Sequence, residues 1–115
     1  MENLEVAMSL ITGAGDSRSS CLEAIECARE GRFDQARELL AQAIEEMVET
    51  HGLQTQLIRD EMGGKETPLS LLMIHAQDHL NLALITRDVA EEMIRLYERL
   101  SRLEEKANVD DHTDL

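Results

Sequence analysis

His75, Asp78 and His79 fall within one turn of an apolar stretch, Leu71 to Leu84, in the order His75-Ala76-Gln77-Asp78-His79. Spacings of three and four residues place side chains on one helix face, so two imidazoles and a carboxylate point the same way, with Gln77 beside them. The cluster offers a hydrolase neither an elbow serine nor a nucleophilic cysteine. It does offer imidazoles, and an imidazole of ordinary pKa near 6.5 is largely neutral, hence nucleophilic, at cytosolic pH. Phosphoryl transfer to such a ring gives an energy-rich phosphoramidate. A carrier must accept and donate with similar ease, which excludes the very stable serine phosphate. The constellation therefore suits a phosphoryl carrier with His75 as the acceptor. His79, one turn on, could donate a hydrogen bond to the phosphoryl group, orient His75, or serve packing alone. Gln77 is two residues from His75 and off its direct face, where it would act mainly on a neighbouring chain or partner.

Two metal-centred chemistries fail on spacing. A zinc hydrolase of the His-Glu-x-x-His kind needs Glu directly after the first His, and Ala76 stands there. A di-metal carboxylate bundle needs Glu-x-x-His pairs, and no Glu lies three before His75 or His79. A helical oligomer pinned by a metal, with a regulatory or scaffolding role and no phosphoryl chemistry, remains as the alternative.

Three helices must position the cluster. On the first, Leu4, Ala7, Met8 and Ile11 recur at helical spacing, and Leu22, Ile25 and Ala28 resume it. Gly13 and Gly15 inside it each cost about 1 kcal/mol relative to Ala, so they mark a kink, a close contact, or a break between two shorter helices. Gly31 is a C-terminal stop and Asp34 a cap for the second helix. That helix has its seam at Ile44, Val48, His51, Thr55, Ile58 and Met62, with His51 a core histidine hydrogen-bonded to Gln54 or Thr55. Gly63-Gly64 ends it. Thr67-Pro68 starts the third, Thr as N-cap and Pro at N1, and this helix runs to about Lys106.

The third helix carries two apolar stripes. One holds Leu69, Leu72, Met73, Ala76, Leu80, Ala83, Leu84, Ala90 and Ile94. The other holds Leu71, His75, Asp78, Leu82, Ile85, Val89, Met93, Leu96, Leu100 and Leu103. One stripe packs inside the bundle and the second needs a second partner, most simply other copies of the same helix. Asp78 lies within that second stripe. In a closed parallel trimer three copies would converge on the axis, and each like-charged pair at ~4 Å costs about 4 kcal/mol at an effective dielectric of ~20. Protons or a cation must then be present, and carboxylate oxygens favour a hard ion such as Mg2+ or another divalent cation.

Composition agrees with helices. The 115 residues make one domain, residues 1–107, followed by an acidic tail, 108–115, expected to be disordered. With one Phe, one Tyr, no Trp and six Met, the core is aliphatic and suits helix packing better than sheets. The net charge of −13 argues against nucleic acid or an anionic membrane and favours cationic protein partners. Cys21 and Cys27 sit six apart, on different faces of a helix, as reduced core residues rather than a disulfide. With no signal peptide and no apolar run approaching ~18 residues, the expectation is a cytoplasmic chain without membrane insertion.

The run Leu71 to Leu80 resembles the active-site segment of enzyme IIA components of the lactose/cellobiose (N,N'-diacetylchitobiose) class of the bacterial sugar phosphotransferase system. Supporting matches are Gly15 to Ser19, Gly31-Arg32-Phe33-Asp34, His51-Gly52-Leu53-Gln54-Thr55 and Ala90 to Leu100, so the similarity spans roughly Leu4 to Leu103. Asn81 departs from the Met expected after His-Leu, and the tail from Asn108 lies outside the family pattern. The resemblance implies an all-α fold: antiparallel three-helix subunits assembling as a parallel homotrimer through the third helix. It also implies phosphate on Nε2 of His75, taken from the histidine-containing phosphocarrier protein and passed to a Cys of the cognate enzyme IIB. Finally, it implies one metal shared by the three copies of Asp78. The sugar, a β-linked disaccharide of the lactose, cellobiose or diacetylchitobiose type, need touch no residue of this chain.

Overall fold

The computed structural model describes residues 3–113 of the chain, and the side chains of 3–109. Three helices, α1 (Asn3–Arg29), α2 (Phe33–Met62) and α3 (Leu71–Thr113), pack antiparallel into a rod about 73 Å long and 21 Å across. The described residues contain no strand.

The turns follow from two glycines. Gly31 and Gly64 adopt φ of +83° and +95°, a left-handed conformation that costs glycine little. At the first, Arg32 N–H donates to the Cys27 carbonyl at 2.8 Å and Gly31 N–H to Ala28 at 3.0 Å. At the second, Lys65 N–H donates to Asp60 at 2.8 Å and Gly64 N–H to Glu61 at 3.0 Å. Both are Schellman ends, which satisfy the last helix carbonyls as the chain turns away.

The helix starts differ from expectation. Arg32, not Asp34, occupies the N-cap of α2, without a side-chain cap bond, and Asp34 sits in the first turn. There its charge opposes the positive end of the helix dipole. Thr67-Pro68 does not open α3. Ser70 does: its Oγ accepts the Met73 N–H at 3.1 Å and its carbonyl accepts Ile74 N–H at 3.1 Å. At its far end α3 continues to Thr113, past the end expected near Lys106 and through most of the segment expected as a disordered tail. The side chains of 110–115, His112 among them, lie outside the described residues.

Of the expected α1 set, Ala7 and Ala28 are buried and Ile11 and Ile25 pack against the core, but bulk misplaced the rest and the seam of α2. Leu4, Met8 and Leu22 are exposed, whereas Ala7, Leu10, Ala14, Ser17, Cys21, Ala24 and Ala28 are buried. On α2 the buried line is Ala36, Leu40, Ala43, Met47 and Thr50, and Ile44, Val48, His51, Ile58 and Met62 are exposed. The two lines differ by one residue, about 100° around the helix. The cause is the close approach of α1 to α2 at Gly13, Ser17, Ala43 and Thr50, which admits only small side chains there and sets the interaxial distance. A Cβ at Gly13 would stand 1.9 Å from Thr50 Oγ1, and Ser17 Oγ, fully buried, donates to the Ala43 carbonyl at 2.8 Å. Gly13 is thus a close contact within a helix that runs unbroken through it. Cys21 and Cys27 are both buried and free, as expected. α1 is covered by both other helices, so residues on two of its faces reach the core.

On α3 the inner stripe is buried or half-buried from Leu72 to Ile94, with Leu69 the exception, exposed ahead of the helix. Leu80 and Ile94 of this stripe, with Leu10 of α1 and Met47 of α2, are fully buried and form the bulkiest part of the core.

Candidate functional site

The two imidazoles meet. His75 Nε2 and His79 Nε2 lie 3.0 Å apart, with ring centroids separated by 4.5 Å and planes nearly perpendicular at 87°. The helix supplies this geometry directly, because residues four apart stack one turn above another. Only one proton fits between two ring nitrogens at that distance. For His75 to present a nucleophilic Nε2 lone pair, the proton belongs on Nε2 of His79 and the His75 proton on Nδ1. In that arrangement His75 is held as its Nδ1–H tautomer, with the His79 N–H beside its Nε2 lone pair.

His75 and Asp78 are exposed and His79 is half-buried. His75 and Asp78 lie on the second stripe, with His79 beside it, and of its other members all but half-buried Met93 are exposed in the single chain: Leu82 is 56% exposed and Ile85 61%. Asp78 lies between Leu71 and Leu82 on this surface. Among the described residues no three His, Cys, Asp or Glu side chains come together to hold a metal ion within one chain. A carboxylate-bound cation at Asp78 would need further copies of the chain.

Gln77 is not brought to the imidazole pair. It is two residues from His75, about 200° around the helix, and its Oε1 accepts Gln54 Nε2 at 2.7 Å while its own Nε2 reaches Met73 Sδ at 3.7 Å. Gln77 and Gln54 thus clamp α3 to α2 and fix how α3 presents its opposite face. Gln54 is a site-supporting residue that spacing did not reveal, since polar partners across two helices leave no periodic signal. His51, expected in the core, is exposed; its carbonyl accepts Thr55 Oγ1 at 3.0 Å.

A groove of about 490 Å³ between α1 and α2 includes Asp16, Glu46, Glu49 and Thr50 in its lining. Its carboxylates repel a phosphoryl donor, and the imidazoles lie elsewhere. Among the described residues no helix is long and apolar enough to cross a membrane.

The sequence and the overall fold are similar to those of known proteins. The family model described as "PTS system, Lactose/Cellobiose specific IIA subunit" matches residues 5–98. The lichenan-specific phosphotransferase enzyme IIA component of Bacillus subtilis is 43% identical over 97 residues, covering 84% of this chain and 88% of that protein. The crystal structure of the cellobiose-specific enzyme IIA from Bacillus anthracis superposes with a TM-score of 0.84 at 38% identity, covering 89% of this chain and 94% of the other. A solution structure of the IIA(Chitobiose)–HPr complex of Escherichia coli gives a TM-score of 0.76 at 35% identity, covering 88% of this chain and 98% of that one. The match extends over nearly the whole bundle, so the chain belongs to the lactose/cellobiose-specific IIA subunits of the phosphotransferase system, phosphotransferase components that carry phosphoryl groups.

Proposed function

We propose that His75 is the phosphoryl acceptor and that the group is held at Nε2. The observation that carries this reading is the 3.0 Å contact between Nε2 of His75 and Nε2 of His79 on an exposed face. In the accepting step the Nε2 lone pair of His75 forms the new N–P bond. The donor's N–P bond breaks, and its electron pair returns to the donor ring. Nδ1–H of His75 keeps its proton throughout, so no net proton moves. His79 releases its hydrogen bond to the lone pair and gives it to a phosphoryl oxygen, where a charge-assisted bond is stronger. Donation to a Cys thiolate of a cognate enzyme IIB reverses the same steps.

The donor is the histidine-containing phosphocarrier protein, a reading supported by the HPr complex of the Escherichia coli relative. The net charge of −13 suits a partner with a basic face, since complementary charge speeds encounter. The chain acts in the cytoplasm. The sugar is a β-linked disaccharide of the kind named for its relatives, such as cellobiose or diacetylchitobiose.

The working form is a parallel homotrimer closed along the second stripe of α3. The single chain has an accessible surface of 7979 Å². That is about a quarter above the ~6,300 Å² expected of a compact 13.0 kDa monomer, and the excess includes the exposed line Leu71, Leu82, Ile85, Val89, Leu96 and Leu100. Asp78 from three copies would hold Mg2+ or another divalent cation at the axis, which when bound offsets the repulsion of three carboxylates.

Transfer kinetics test the assignment. His75→Ala should keep the helical circular dichroism spectrum and take no acid-labile phosphate from the phosphorylated phosphocarrier, while His79→Ala should still transfer, more slowly. Normal uptake by His75→Ala with none by His79→Ala would mean that the wrong imidazole has been named.

A further inference from the structure

The far end of α3 outlasts the bundle to which it belongs. It passes the turn between α1 and α2, where Tyr97, Ser101 and Glu104 edge a hollow of about 250 Å³ shared with Gly31 and Phe33. From Arg102 to Val109 every side chain is exposed. The helix continues to Thr113, about 18 Å past Ser101 at ~1.5 Å per residue.

The two stripes of α3 respond differently to that end. The bundle-facing stripe is apolar through Ala90 and Ile94, then continues at threes and fours as Glu98, Ser101, Glu105 and Asn108. It turns polar where α1 and α2 no longer cover it. The outer stripe does not. Leu96, Leu100, Leu103 and Ala107 keep helical spacing past the end of the bundle, with Leu96 54% and Leu103 57% exposed. An apolar seam kept where the chain's own helices have ended has its partner outside the chain.

The flanks of the seam identify that partner. With Leu100 and Ala107 at heptad positions a, and Leu96 and Leu103 at d, Arg99 holds g and Glu104 holds e. The two sit on opposite edges of the seam, about 140° apart around the helix, beyond the three- and four-residue spacings that let side chains meet on one helix. Among the described residues neither has an ion-pair partner in its own chain. In a parallel coil the g edge of one strand lies beside the e edge of the next, which brings Arg99 to Glu104. An antiparallel pair would set g against g, Arg99 against Lys106, like charge against like. A second copy in parallel therefore fits this seam. In a closed ring each copy offers its g edge to one neighbour and its e edge to the other.

We propose that residues 99–109 form a three-stranded parallel stalk beyond the bundles. Leu100, Leu103 and Ala107 pack about its axis, and Arg99 of one copy pairs with Glu104 of the next. This rests on the parallel-trimer reading above and adds an element outside the segment that the family model matches, residues 5–98. Leu103 lies about 37 Å along the helix from Asp78 at ~1.5 Å per residue. The stalk thus holds the subunits together at a distance from the carboxylates of the lower axis.

The test is sedimentation of the full chain over a range of protomer concentrations, with circular dichroism to follow the helices. Leu103→Glu should leave the subunit folded, because Leu103 is exposed in the single chain. It should raise the concentration of half-dissociation about a hundredfold or more, since three leucines lose their cover and three charges gather. Arg99→Glu sets like charges at all three contacts and should raise it about tenfold, a few-fold for each exposed pair. The double variant Arg99→Glu/Glu104→Arg should return close to the parent value. Arg102→Glu, the same charge change farther from the seam, should stay at that value. A parent trimer whose dissociation is unmoved by Leu103→Glu, or moved equally by Arg99→Glu, Arg102→Glu and the double variant, would overturn the stalk and leave the trimer standing. A parent that is monomeric at every concentration would instead strike the trimer reading, and the stalk with it.

Discussion

Gly13→Ala should destabilise the bundle, although the same change in an open helix interior is stabilising by about 1 kcal/mol. The reason is the approach of α1 to α2. A Cβ at Gly13 would stand 1.9 Å from Thr50 Oγ1, 3.1 Å from Thr50 Cβ and 3.2 Å from Thr50 Cγ2. Rotating Thr50 about χ1 moves its hydroxyl, but Cβ is fixed to the α2 backbone, so the helices themselves must part. Overpacking costs about 1–3 kcal/mol; where two helices must part the upper part of that range, about 2–3 kcal/mol, applies, and less the ~1 kcal/mol propensity gain it leaves Gly13→Ala about 1–2 kcal/mol less stable. Thr50→Ala removes the two atoms beyond Cβ and leaves a tight but tolerable contact. In that background Gly13→Ala should be close to neutral. The coupling between the two substitutions is then about 1–2 kcal/mol, within the range for touching residues. Urea unfolding of the parent, both single variants and the double variant, followed by circular dichroism at one protomer concentration, measures it. If Gly13→Ala is as stable as the parent, or costs the same in both backgrounds, the close approach of α1 and α2 is wrong.

Three further outcomes follow from the geometry. Ser70→Ala should lower stability by about 1 kcal/mol through loss of the α3 cap, whereas Thr67→Ala should change it little; thermal melts of both distinguish the two start sites. Burial pushes the Cys21 thiol up, with the nearby Arg87 charge opposing and Glu46 adding. A folded-state pKa above the unfolded value means that the unfolded chain loses its proton first, so stability is fully present below the unfolded thiol pKa of about 8.5 and falls as pH rises above it. The slope of unfolding free energy between pH 8 and 10 should flatten in Cys21→Ala. Asp78→Leu should stay trimeric, melt no lower than the parent and lose any dependence on divalent metal, since replacing every buried charge of a site by a good hydrophobe is often neutral or stabilising. The parent should lose stability in chelator by RT ln(1 + [metal]/Kd). Sedimentation with and without chelator checks this, and a monomeric parent under every condition would remove both the trimer and the axial cation.

The meeting of the two imidazoles was legible because helical spacing alone stacks His75 on His79. Both stripes of α3 were legible for the same reason: large apolar residues repeat at threes and fours, and the structure covers one stripe and leaves the other open. The seam of α2, and half of that of α1, were not. Their contact is made by Gly13, Ala14, Ser17, Ala43 and Thr50, whose value lies in small size, and hydrophobic periodicity weighs bulk. Ile44, Val48 and Ile58 drew the eye to a face that one chain leaves uncovered. That misreading placed His51 in a core and hid its position opposite nothing in its own subunit. Thr67-Pro68 carries a stronger start signal than Ser70-Leu71, yet the chain enters the helix three residues later, where Ser70 Oγ reaches the third N–H of the helix. Gln54 had no signal until its partner on α3 was in view.

The central claim is that phosphate resides on Nε2 of His75. Long-range proton–nitrogen correlation NMR of the uniformly nitrogen-15-labelled chain, before and after loading by the phosphorylated phosphocarrier, tests it directly. The account predicts phosphorus coupling at a single imidazole nitrogen, Nε2 of His75, with Nε2 of His79 still carrying a proton. Coupling at His79, at His51 or at Nδ1 of His75, with the Nε2 of His75 unchanged, would contradict it.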